Sequence, residues 1–468
     1  MRRPETAILV LGGLLAVLGG AAAQVAPELA AAGALALVVV VAVVAHPPAA
    51  AYVLLATTPL IVGIDRGAVI PALRPSEAVL GLVAAGLLGR AAIDFARGRP
   101  LTWRPTRLDG ALVALAVAGS VLPLAWMVAR GRAIAPDDVL YGLQLWKYYA
   151  VFLVVRAAVR TEHEVLVCLW ICVAGAVAVA AVGIAQVAGF GPVVHVLSTY
   201  YAPFDDASLV QNLRGSSTIA APQAVADVMA ITLAIVAGLF LRGRRRGLLL
   251  ACAGVLVFGA VAAGQFSGIV ALLVACLAIG VITRTLGRQF LVGAPLLLLA
   301  AIALKPVIDR RIAGLSDSGL PASWSGRLHN LQTHFWPELF SGFNWVLGVR
   351  PSPRVPVPGT PGRYLFIESG HTWLLWVGGL PLLLAFAYLT VAGLAWTTRV
   401  ARARSDALGL AATASCTALA VVAVGMIFDP HITLRGTAEL FFALLALALH
   451  PRLVPAREWA VRPPPGTR

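Results

Sequence analysis

Polar side chains are scarce in this sequence, and where they gather they are of kinds that bind anions and move protons. Three stretches stand out: 190–218 with Tyr200, Tyr201, Asp205, Asp206 and Arg214; 306–371 with Arg327, His329, His334, Glu338, Glu368 and His371; and 428–435 with Asp429, His431 and Arg435. Arg214, Arg327 and Arg435 present planar, permanently charged forks suited to phosphate oxygens. His371 follows Glu368-Ser369-Gly370 and opens an apolar run. An imidazole there can take a proton near neutral pH, as general-base catalysis on a hydroxyl requires. Each has a plainer role beside this one. An arginine at a span end meets lipid headgroups or caps a helix, an interfacial histidine is commonly structural, and Asp429 and Arg435 are near enough in sequence to pair across a turn.

The elements that must position these groups are membrane helices. The 468-residue chain is 60% hydrophobic and 12% charged, where soluble domains run roughly 45–50% apolar and about 25% charged. Apolar runs of span length lie near 7–23, 29–45, 49–64, 77–94, 109–130, 140–158, 164–189, 219–241, 248–264, 267–283, 289–305, 372–397, 407–427 and 436–449. The pattern predicts an all-α, polytopic helical membrane protein with about 12–14 transmembrane helices and one large extracytoplasmic loop. Residues 1–450 form a single domain in this reading. A formal charge of +15 would suggest nucleic acid in a soluble protein. Here the arginines fall between spans, at 95–107, 242–247, 284–288 and 398–406, and the positive-inside rule makes those connections cytoplasmic, with both termini. The three polar stretches then face outward across the cytoplasmic membrane, and nucleic acid is not a partner.

The start, Met1-Arg2-Arg3 before an apolar stretch, reads as an uncleaved signal-anchor helix. The Pro- and Arg-rich end, 451–468, reads as a disordered cytoplasmic tail. Cys168, Cys172, Cys252, Cys276 and Cys416 all sit in apolar runs and act as small hydrophobes. Lys147, Asp227 and Glu439 lie within expected spans, where a charge is costly unless it is paired or faces a cavity. Lys147, beside Trp146, Tyr148 and Tyr149, is placed to snorkel outward, and Asp227 to hydrogen-bond across helices.

The long outer connection, 306–371, is rich in aromatics: Trp324, Phe335, Trp336, Phe340, Phe343, Trp345 and Tyr364. Trp324, Leu328, Leu331, Phe335 and Leu339 recur at helical spacing, predicting an amphipathic helix over 324–341 at the membrane surface. There is no Gly-rich phosphate loop, no dinucleotide fingerprint and no His-Glu-x-x-His pair. No cofactor and no metal are called for, so a donor substrate must arrive already activated. A lipid diphosphate carrier suits an outward-facing membrane enzyme.

Ser323-Trp324-Ser325-Gly326-Arg327, then Val346-Leu347-Gly348-Val349, then Glu368-Ser369-Gly370-His371 before a Gly-rich span resemble the O-antigen ligase and O-antigen polymerase superfamily. Arg214-Gly215-Ser216-Ser217 and the hairpin Gly264-Gln265-Phe266-Ser267-Gly268 fall in the same order, and the likeness covers roughly 200–440. At that hairpin Phe266 stands where the family carries an arginine, and the missing charge is expected from Arg214 or Arg435. The resemblance implies a metal-independent glycosyltransferase of surface polysaccharide assembly, working on the outer face. It would pass a polyprenyl-diphosphate-linked glycan to a sugar hydroxyl on a glycan or glycolipid acceptor. It implies catalytic roles for Arg327, on the diphosphate, and His371, as base. Arg214, Arg435, Glu368, Trp324 and Trp336 are the expected substrate-binding residues. The alternatives are a transporter or flippase lined by Lys147, Asp227 and Glu439, with the long loop as a lid, and a non-catalytic assembly partner.

Overall fold

The computed structural model describes residues 27–99, 105–202, 210, 214–243, 245–313, 322–357 and 364–450. The expected span 7–23, Asp205, Asp206 and the tail 451–468 lie outside the described residues. In chain order the helices are α1 (Pro27–Ala45), α2 (Ala49–Ile61), α3 (Pro75–Ala96), α4 (Arg107–Ala118), α5 (Val121–Ala129), α6 (Pro136–Gly142), α7 (Gln144–Ala158), α8 (Glu162–Val187) and α9 (Gly191–Tyr200). After a 3₁₀ turn at Ser217–Ile219 come α10 (Pro222–Leu241), α11 (Arg246–Ala262), α12 (Phe266–Thr283), α13 (Leu286–Ala303) and α14 (Lys305–Ile312). The long connection then holds α15 (Ala322–Asn330), a π-helical turn Leu331–Phe335, α16 (Trp336–Leu339), α17 (Asn344–Leu347) and a hairpin of β1 (Arg354–Pro356) and β2 (Tyr364–Phe366). The chain ends in α18 (Gly370–Ala403), α19 (Ala407–Gly425), a 3₁₀ turn His431–Thr433 and α20 (Thr437–Ala448).

Eight helices among the described residues are long and apolar enough to cross a membrane, counting α4 and α5 as one segment. Residues 31–45, α2, α11 and α20 are apolar but shorter. α20, at 12 residues, is about 18 Å long, well short of a hydrocarbon core of about 30 Å. The expected spans are thus helical where described, but several are broken or half-length. α10, α19 and α20 are apolar all round and buried on nearly every side, as helices at the centre of a bundle must be. α10 packs on α11, α12 and α19, α20 on α19 and α7, and α18 on α19 and α4.

Half-length helices leave irregular backbone at depth, which persists only where protein covers it or where it lines a cavity. Three such segments meet here. The Gly63 amide donates to the Thr218 carbonyl (3.0 Å), Arg435 Nη1 to Asp65 Oδ1 (2.8 Å), and the Asp227 carboxylate in α10 lies against His431.

The described parts of the long connection are tied to the helices around them. Arg350 grips the fully buried Asp138 carboxylate with two bonds (2.8 and 2.7 Å), Arg354 grips Asp137, Arg130 reaches Asn344 and the Val349 carbonyl, and Arg132 pairs with Glu338. Planar guanidinium forks can hold a loop of this length in one place. The expected amphipathic helix is present as α15, the π turn and α16. The hairpin was not anticipated. α18 is 34 residues long, about 50 Å, and bends at Gly379, whose φ of 63° and neighbouring Pro381 interrupt its ladder. α17 fills the bend, with the Val349 amide donating to the Trp376 carbonyl (2.6 Å).

Candidate functional site

Arg327 is the centre of the polar group on the face that carries the long connection. It projects from α15, where its Nε lies 3.4 Å from Glu368 Oε1 and its Nη1 3.1 Å from Asp429 Oδ2. One guanidinium thus joins three elements: α15, the segment before α18, and the α19–α20 loop. Trp324, three residues back and so on the same helix face, sets its ring 5.6 Å from that of Phe428. Residues 322–330 form a helix that needs its one apolar stripe covered, and Phe428 and the buried Leu331 and Phe335 that follow fix its rotation.

Arg214 and Arg311 lie close enough to Arg327 to feel its charge, and Arg310 close enough to Arg214. Burial pushes the Arg214 guanidinium below its ordinary value, and the charges of Arg310 and Arg327 push the same way. Arg311 is lowered likewise, by burial and then by Arg214 and Arg327, although an arginine remains protonated at neutral pH. The Arg311 guanidinium lies over the Phe266 ring, 4.8 Å from its centroid, and its Nε is buried with no acceptor among the described residues. Among the described residues no carboxylate pairs with Arg214, Arg310 or Arg311, whereas Arg327 has two. Four clustered guanidiniums against two carboxylates make a field that favours a polyanion.

Both carboxyls are displaced upward. Burial raises Asp429 against the opposing pull of Arg327 and His431, and burial, then Asp429, raises Glu368 against Arg327. The His371 imidazole is exposed in the first turn of α18, capped by Ser369 Oγ, which accepts from the Thr372 amide (3.4 Å). Trp336 Nε1 donates to Thr372 Oγ1 (3.3 Å), tying α16 to the turn that carries His371. Chemically the face holds fixed cations for a leaving anion, an exposed base, and two carboxyls that take protons more readily than usual.

Behind this face lie buried charges that are paired. His431 Nδ1 is 2.5 Å from Asp227 Oδ2, which also accepts from Thr437 Oγ1 (3.2 Å). Burial lowers the His431 imidazole, but Asp227 outweighs it and the net displacement is upward. Lys147 Nζ is 2.7 Å from Glu439 Oε1 and lies over the Tyr148 ring. The expected snorkelling of Lys147 is therefore not what forms: its ammonium turns inward to a carboxylate. Asp429 and Arg435 do not pair with each other either, since Arg327 takes the first and Asp65 the second.

The structure brings Arg327, Glu368, Trp324 and Arg214 into one neighbourhood, with His371 on the adjoining first turn of α18 and Trp336 of α16 bonded to that turn, and sets Arg435 with a different group of charges. Arg311 is the arginine whose guanidinium lies over Phe266. Arg310 and Arg311 were passed over because arginines beyond a span are ordinarily topological. Their signal was their side: they sit in a connection assigned to the outer face, where the positive-inside rule leaves arginine unexplained. Among the described residues no three His, Cys, Asp or Glu side chains converge as a metal ion would need. No protein family, no curated protein and no solved structure matches this chain.

Proposed function

We propose that this protein is a glycosyltransferase of the O-antigen ligase and polymerase kind, taking a polyprenyl-diphosphate-linked glycan and transferring it to a sugar hydroxyl on the outer face of the cytoplasmic membrane. The observation that carries the reading is the cluster of Arg214, Arg310, Arg311 and Arg327, of which only Arg327 has carboxylate partners among the described residues. A diphosphate supplies the negative charge such a cluster lacks, and its charge grows as the bond to the sugar breaks, so the same guanidiniums stabilise the leaving group most when it leaves.

In this reaction the acceptor oxygen forms a bond to the anomeric carbon, the bond from that carbon to the diphosphate oxygen breaks, and the lipid diphosphate departs with the electron pair. The hydroxyl proton passes to His371, which is exposed to solvent and returns it there. Trp324 and Trp336 offer flat apolar faces to sugar rings. The transporter reading draws on charges at membrane depth, but Lys147 with Glu439 and Asp227 with His431 neutralise one another. The test is release of lipid diphosphate by protein in nanodiscs given donor and acceptor. Wild type is expected to release it and folded Arg327→Ala and His371→Ala to lose it; no release by wild type with any of several glycans would refute the reading.

A further inference from the structure

A second group of arginines stands on the same face and is not used by the chemistry above. Arg66 and Arg74 flank the loop between α2 and α3, and Arg435 enters from the α19–α20 loop. Two carboxylates answer them. Glu77 Oε1 is 2.7 Å from Arg66 Nη2 and 4.0 Å from Arg74 Nη1, and Asp65 takes Arg435 at 2.8 Å. Glu77 Oε2 is already engaged by the Arg74 amide (3.2 Å), so little of its capacity is left for the second arginine. Among the described residues three cations thus share two anions, and the Arg74 guanidinium is the one left with only a long contact.

The shortfall shows at the atoms. The Nε groups of Arg66 and Arg74 are buried and have no acceptor among the described residues, and a buried charged donor left unmade is costly. All three side chains keep roughly a quarter to a third of their surface open, so an anion can reach them from outside.

The two arginine groups flank one loop. Asp429 binds Arg327 and Arg435 belongs to the second group, and six residues fully extended span at most about 22 Å. The 3₁₀ turn between them shortens that further. This separation suits two anionic groups at opposite ends of a short saccharide.

We propose that Arg66, Arg74 and Arg435 form a second oxyanion site that holds a phosphate or carboxylate group carried by the acceptor glycan. The word acceptor rests on the transferase reading; the binding site does not. Accordingly the test reads binding and not turnover. Protein in phosphatidylcholine nanodiscs is titrated with three forms of one oligosaccharide: phosphorylated, uronate-bearing and neutral.

Wild type is expected to bind at least one anionic form about tenfold or more tighter than the neutral one, the worth of one charge-assisted hydrogen bond. Folded Arg74→Gln and Arg435→Gln are expected to lose the preference, and Arg214→Gln to keep it. Equal binding of all three forms by wild type overturns the proposal, as does full preference in either folded variant of the second group. Native mass spectrometry in discs containing phosphatidylglycerol separates the sources. Retention of that lipid by wild type but not by Arg74→Gln, with no glycan preference, would make this a headgroup site and overturn the assignment to a glycan.

Discussion

Replacing Glu439 by glutamine asks whether the charges at membrane depth are structural ties or parts of a path. In the native protein Lys147 and Glu439 are 15% and 7% exposed and 2.7 Å apart. Glutamine keeps an oxygen for the Gly436 amide, which Glu439 Oε2 now accepts at 2.7 Å, so the start of α20 stays capped. What it removes is the counter-charge. Stranding one partner of a buried pair costs about 3–5 kcal/mol, and the Tyr148 ring, 4.5 Å from the ammonium, returns about 0.5–2 kcal/mol. The expected net loss is therefore about 1–4.5 kcal/mol. Adding Lys147→Met removes the stranded charge, so the double variant is expected to regain most of that loss. Thermal unfolding in detergent, followed by tryptophan fluorescence, reads the cycle. Glu439→Gln as stable as wild type would mean that water solvates Lys147, as a translocation path requires, and the structural account would fail. A double variant no more stable than the single one would refute the pairing itself.

Three further outcomes follow from the same geometry. Gly379→Ala places a Cβ 2.3 Å from the Val346 carbonyl oxygen in a backbone conformation closed to other residues, so it is expected to cost about 3 kcal/mol or more; limited proteolysis should show the long connection released, and an intact loop would contradict the docking. Asp429 is raised by burial, so between its unfolded value of about 4 and its folded one the native state binds more protons, and this group's contribution falls as pH rises through that interval. The melting temperature of wild type minus that of Asp429→Asn should accordingly decline with rising pH there; a rising difference would reverse the sign. His371→Gln is expected to lower turnover by about 10²–10⁴-fold, the usual share of a general base, while leaving donor affinity within about twofold; equal activity would remove His371 from the chemistry.

Much of the architecture was legible because one signal dominates it: a chain of 60% hydrophobic residues with arginines parcelled between apolar runs has few options but helices in a membrane. The shortness of the runs at 49–64 and 436–449 was visible, but not the irregular backbone that continues from α2 and precedes α20, because hydropathy does not register where backbone breaks inside a bundle. The tethers of the long connection were hidden too, since Arg350 and Asp138 are 212 positions apart and nothing in the sequence pairs them. Arg327 and Glu368 were visible as candidates by type and place. That Asp429 completes their group, and that Arg435 six residues on does not, depends on how the 426–436 loop turns at His431 under the pull of Asp227. Arg311 was not legible as a site residue, because an arginine beyond a span end reads first as a topological charge and its place over Phe266 depends on how α14 meets α12.

The claim on which the account stands is that the four-arginine cluster holds a lipid diphosphate. The most direct measurement is the affinity of the protein in nanodiscs for polyprenyl diphosphate, polyprenyl monophosphate and polyprenol, in wild type and in Arg214→Gln/Arg311→Gln. The account predicts that the diphosphate binds tightest, that the double variant weakens it by about a hundredfold at roughly tenfold per guanidinium, and that polyprenol binding is unchanged. Equal binding of the diphosphate and the alcohol by wild type, or a double variant that holds the diphosphate as wild type does, would contradict it.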